Sequence, residues 1–65
     1  MNTYHLQLFF PSFALIYKKI QADSMEIRDG ACVFYMRHTE NGNKHYRIVF
    51  SSPVQSTMVD KIEYS

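Results

Sequence analysis

The chain has little of several things: one cysteine (Cys32), two glycines, two prolines and no tryptophan in 65 residues. A single thiol excludes an internal disulfide, and there is no C-x-x-C pair or Cys/His zinc spacing. Cys32 lies within an apolar run and reads as a small buried hydrophobe rather than a nucleophile. No apolar run approaches the ~20 residues needed to span a bilayer. The first residues lack both a Lys/Arg-rich start and a small-residue cleavage site, so no secretory signal is expected and the expected location is cytoplasmic. Charge of one sign is also lacking. Seven Lys/Arg against six Asp/Glu leave a net charge of +1, which argues against a chain whose main work is neutralising phosphates. No catalytic motif is present either: no Gly-rich loop, no paired carboxylates at readable spacing. The expectation is a non-enzyme without cofactors.

Aromatics are plentiful, with five Phe and five Tyr. Together with Val and Ile they suit strands better than helices. A chain of this length reads as one small domain, residues 1–65. Such a domain buries only about 60% of its unfolded surface, so its core supplies roughly 3–5 kcal/mol net.

Two apolar runs flank Asn41-Gly42: Ala31-Cys-Val-Phe-Tyr-Met-Arg-His38 and Lys44-His-Tyr-Arg-Ile-Val-Phe50. Asn-Gly supplies the two left-handed positions of a type I′ turn, the strongest short-range hairpin signal. Asp29-Gly30 repeats it upstream. Pairing through these turns sets Ile27 opposite Cys32, Met25 opposite Phe34, Phe34 opposite Val49, Met36 opposite Arg47 and His38 opposite His45. The result is a three-stranded meander with one face of Met25, Ile27, Cys32, Phe34, Met36 and Val49. The other carries Val33, Tyr35, Tyr46, Ile48 and Phe50 beside Glu26, Arg28 and Arg37.

Before the meander, Tyr4, Leu6, Leu8 and Phe10 alternate with His5, Gln7 and Phe9, a half-buried strand stopped by Pro11-Ser12. Residues 13–22 fit two readings. Phe13, Ile16, Tyr17 and Ile20 have helical spacing behind Ser12 as N-cap. The same segment in twos puts Ala14, Ile16, Lys18 and Ile20 on one strand face, with Pro11-Ser12 as a hairpin turn. After Ser51-Ser52-Pro53 and a polar connection at Val54–Thr57, Met58–Tyr64 reads as an edge strand. The fold expected is mainly β, a small antiparallel sheet or five-stranded barrel. The alternative is α+β, a βαβββ layout with a helix near 12–22.

The stretch Ala22-Asp-Ser-Met-Glu-Ile-Arg-Asp-Gly-Ala-Cys-Val-Phe-Tyr35 resembles hairpins of short bacterial and phage proteins of uncharacterised function. The resemblance covers about a fifth of the chain and implies no activity.

A sheet with large apolar groups on both faces must close on itself or use another chain. Exposed Tyr, Phe, Met and Arg are the residue types enriched in interface centres. The functional expectation is therefore a protein-binding or self-associating β module, a homo-oligomer, of the kind a phage or mobile element encodes as an inhibitor or adaptor of a host protein. Its interface candidates are Val33, Tyr35, Tyr46, Ile48 and Phe50. The alternative is a small barrel binding single-stranded nucleic acid through Arg28, Arg37, Lys44 and Arg47 beside Tyr35, Tyr46 and Phe50, the mixture of cations and stacking rings such binders use. His38 and His45, facing each other across the hairpin, are close enough to share a metal, but no third ligand stands at readable spacing. Two solvated histidines near a hairpin end are the expected reading, with no metal bound.

Overall fold

The computed structural model describes residues 1–12 and 14–65. Six strands run in chain order among them: β1 (Asn2–Phe9), β2 (Leu15–Ala22), β3 (Ser24–Arg28), β4 (Ala31–Glu40), β5 (Asn43–Pro53) and β6 (Thr57–Glu63). A 3-10 turn, Val54–Ser56, joins the last two. They form two antiparallel three-stranded sheets, β2-β1-β6 and β3-β4-β5, packed on each other. The mainly-β expectation holds in its small-sheet form. The five-stranded barrel does not: six strands are described, and the sheets do not close. Among the described residues no helix is long and apolar enough to cross a membrane.

Residues 15–22 form a strand, not the alternative helix. Period 2 wins because Ile20 and Ala22 both turn inward and pair with Tyr4 and Asn2 of β1. The helical stripe would have buried Ile16 and Tyr17 with Ile20, yet both are exposed. Phe13, the first residue of the helical stripe, lies outside the described residues. Only Asp23 separates β2 from β3, so one chain segment passes from the first sheet to the second. The Asp23 amide donates to the Tyr35 carbonyl at 2.8 Å, and its carboxylate accepts the Arg37 amide at 2.7 Å. That carboxylate satisfies a β4 donor where β3 is no longer alongside.

Both Asx-Gly dipeptides turn as expected. Asp29, Gly30, Asn41 and Gly42 have φ of 51°, 77°, 52° and 80°. Arg28 pairs with Ala31 and Glu40 with Asn43 at the ends of two-residue loops. The pairs Ile27–Cys32, Met25–Phe34, Met36–Arg47 and His38–His45 all form as read. One does not. Phe34 pairs with Phe50 rather than Val49, because the register shifts between Phe34 and Tyr35. Tyr35 pairs with Ile48, so Val49 is the extra residue of a β-bulge, two residues of β5 against one of β4.

The core collects Tyr4, Leu6, Leu8, Ile20 and Ala22 from the first sheet and Cys32 and Phe34 from the second. Phe34 is fully buried; the Tyr4 ring meets it edge-on at 5.2 Å and the Phe50 ring lies 6.0 Å away. β6 is an edge strand, as expected, paired with β1. Beyond Tyr35, β4 and β5 continue without a third strand. Residues 36–47 are thus a two-stranded arm, and the molecule extends 46 × 26 × 13 Å.

The bulge makes a testable distinction. Phe50→Asp sets a carboxylate against Phe34 and is expected to cost about 3 kcal/mol or more, from lost apolar burial plus a poorly solvated charge. In the unbulged register Phe50 would be exposed and the change nearly neutral. Urea unfolding of the variant decides between them.

Candidate interaction face

Directly opposed residues of an antiparallel pair share a face, and faces alternate along each strand. The registers therefore sort β3-β4-β5 into an inward face with Met25, Cys32 and Phe34, and an outward face. The outward face carries Glu26, Arg28, Val33, Tyr35, Arg37, Lys44, Tyr46 and Ile48. Tyr46 is 62% and Ile48 57% exposed, and Tyr35 is half-buried beside them. Three of the five interface candidates thus lie together at the surface. The other two do not. Val33 shares the face but is only 6% exposed, with Glu26 and Ser51 as its cross-strand neighbours. Phe50 is carried by the bulge to the Phe34 side and packs against the core.

An ordered polar cluster borders the exposed rings. The Tyr35 hydroxyl donates to Glu26 Oε1 at 2.8 Å, and Arg28 Nη2 approaches the same oxygen at 2.6 Å. The Arg28 guanidinium also lies 6.0 Å from the Tyr35 ring centre. Ser24, Glu26, Arg28, Tyr35 and Tyr46 line a shallow hollow there. The hydrogen bond to Glu26, then partial desolvation, raises the Tyr35 hydroxyl above its ordinary pKa, while the Arg28 charge opposes the rise. In the sequence Glu26 reads only as a charge on the meander. Its role in fixing Tyr35 follows from β3–β4 pairing, which brings it beside Val33, two residues from Tyr35.

The four cations of the nucleic-acid reading divide. Arg28 is held by Glu26, and Arg47 shares the inward face of the arm with Met36, away from Tyr46. Arg37 and Lys44 remain on the outward face, with no ion pair among the described residues. His38 and His45 stack at 5.2 Å with an interplanar angle of 23°, and Glu40 Oε2 lies 4.0 Å from His38 Nε2. Among the described residues no group of three potential ligands is placed to hold a metal. His5 is on the first sheet, 3.1 Å from Glu63. That contact, then Lys61 at 3.3 Å, lowers the Glu63 carboxyl below its ordinary range. The Cys32 thiol is buried and in no disulfide. A second feature escaped the sequence: an open apolar groove where the β1–β2 hairpin meets the end of β5, lined by Phe9, Phe10, Ile16 and Phe50, with Lys18 Nζ 5.2 Å from the Phe50 ring centre.

No protein-family model matches this chain, and no curated protein or solved structure matches it either.

The raised Tyr35 hydroxyl has a linked effect on stability. Its contribution is complete below the ordinary tyrosine range and is lost as the pH rises through the higher folded value. Glu26→Gln removes the charged acceptor, so Tyr35 is expected to titrate at lower pH in the variant, followed by its ring NMR signals. An unchanged titration would mean that Glu26 does not hold the hydroxyl.

Proposed function

We propose that this chain is a protein-binding β module that associates with a second copy of itself through the outward face of β3-β4-β5. The observation supporting this reading is the exposure of Tyr46 and Ile48 side by side on an ordered strand pair, next to a Tyr35 already fixed by Glu26. Tyrosine and arginine side chains held in place before contact lose little rotamer freedom on binding, and such groups dominate interface energetics. The alternative, single-stranded nucleic acid, is supported less well. Only Arg37 and Lys44 of its four cations stand on the Tyr46 face without a carboxylate partner among the described residues.

Ile48→Asp separates surface from core. Because Ile48 is mostly exposed, the variant is expected to keep its fold, measured by circular dichroism, while sedimentation at increasing concentration shows a monomer where the parent chain associates. A parent chain that stays monomeric, or a folded variant that associates as the parent does, would contradict the proposal. So would oligonucleotide affinity that falls steeply with salt and depends on Arg37 and Lys44.

A further inference from the structure

Resting on that reading, we infer that the second copy lies antiparallel across the outward face, on a two-fold axis through the Tyr35–Ile48 row. In this arrangement Arg37 of each copy meets Glu26 of the other. The face is charged unevenly along its length. Towards the arm tip it carries Arg37 and Lys44. Towards the β3–β4 turn it carries Glu26 and Arg28, which pair with each other and leave that end neutral. The Tyr35–Ile48 row lies midway. The Arg37–Tyr46 row is two residues towards the tip and the Glu26–Val33 row two residues towards the turn, each about 7 Å from the midpoint at strand rise. A two-fold axis there superposes the first row on the second, twice over, as an isologous contact requires. The Thr39–Lys44 row then falls on the Arg28–Ala31–Pro53 row, with Lys44 over Pro53 and two strands away from Arg28. Facing sheets pack roughly 10 Å apart, a gap that an arginine and a glutamate side chain span together.

The unused valences fit this pairing. Both intramolecular contacts of Glu26 fall on Oε1, so Oε2 has no partner among the described residues, and the side chain is 46% exposed. Arg37 gives its backbone amide to Asp23, while its guanidinium has no carboxylate among the described residues. Each copy therefore offers one incomplete acceptor and one incomplete donor at symmetric positions. The edges of the same sheet are poorer sites for a second copy. β3 carries Glu26 and Arg28, and β5 carries Lys44, Arg47 and the bulge. These are devices that discourage strand-to-strand pairing. From the Lys44 row to the Arg28 row the face is about 27 Å long and two to three strands wide. That is smaller than a standard interface of about 800 Å² per partner, so the dimer is weak and concentration-dependent.

Charge reversal tests the orientation. Arg37→Glu sets carboxylate near carboxylate at both symmetric contacts, because the row it faces carries Glu26 of the other copy one strand beside Val33. Glu26→Lys sets ammonium against the Arg37 guanidinium at the same two places. Each variant alone is expected to dimerise at least tenfold more weakly than the parent in the micromolar range. Mixed one to one, the two variants set opposite charges against each other at both contacts and are expected to form a heterodimer about as tightly as the parent chain associates; a mixture that stays monomeric overturns the orientation. Arg47→Glu makes the same charge change on the opposite face and should leave association within twofold of the parent. The double reversal in one chain, Arg37→Glu with Glu26→Lys, likewise exchanges the two charges and sets them opposite each other again at both contacts. It is expected to dimerise more tightly than either single variant. Circular dichroism of each variant confirms folding before it is scored. If Glu26→Lys fails to fold, alone or in the double variant, Arg37→Glu against Arg47→Glu still decides. An Arg37→Glu chain that dimerises like the parent, a folded double variant that stays monomeric, or an equal effect of Arg47→Glu overturns the orientation. If the parent associates, loses association with Ile48→Asp and ignores Arg37→Glu, this orientation fails and the interface stands. A monomeric parent removes both.

Discussion

The extra residue in β5 governs how this small chain divides its aromatics between core and surface. Alternation along Tyr46, Arg47, Ile48, Val49 and Phe50 would put Tyr46, Ile48 and Phe50 on one face. Val49, inserted at the bulge, reverses that assignment from Phe50 onward, so Phe50 joins Phe34 and the Tyr4 ring inside. Among the described residues the largest fully buried side chains are Phe34 and Leu6, and a core this small depends on such an addition. Net stability here is a small difference of large terms, and one ring moved inward changes it by a sizeable fraction. The same step leaves Tyr46 and Ile48 outside. Core and candidate interface are thus fixed by one local irregularity.

Open sheets carry a second constraint, their unpaired edges. The edge strands all bear charged residues: Lys18 and Lys19 on β2, Glu26 and Arg28 on β3, Lys44 and Arg47 on β5, and Asp60 and Lys61 on β6. Long charged side chains at an edge resist the approach of another strand. Apolar contact is consequently directed to faces, and the outward face of the second sheet is where Tyr46 and Ile48 meet a fixed polar cluster. The arm matters for the same reason. Anchored at its base by the Asp23 carboxylate on the Arg37 amide, it carries Arg37 and Tyr46 beyond the body of the domain.

Much of this is legible in the residues, for identifiable reasons. Asp29-Gly30 and Asn41-Gly42 set both turns, since left-handed backbone is cheap for these residues and the two-residue loop at Asn41-Gly42 then dictates the β4–β5 pairing as far as Tyr35. The bulge is not legible. Ile48, Val49 and Phe50 are all large and apolar, so an inserted residue leaves the hydrophobic pattern unbroken, and simple alternation puts Phe50 on the wrong face. The β2 segment is ambiguous because Ile16, Tyr17 and Ile20 satisfy both periods. Ala22, wholly buried and in step with Ile20, resolves it only once β1 is alongside. Val33 misleads because a face can contain buried positions where neighbouring strands crowd them. The link from Glu26 to Tyr35 needs three dimensions, since nothing in the spacing of two oppositely directed strands marks a hydrogen bond.

Association of two copies through the outward face of β3-β4-β5 is tested most directly by amide NMR spectra of the parent chain over a dilution series. Concentration-dependent shifts are expected at residues 24–28, 33–37 and 44–48, with β1, β2 and β6 unmoved. Spectra independent of concentration, or shifts centred on Phe9, Phe10 and Ile16 of the β1–β2 hairpin, would contradict it.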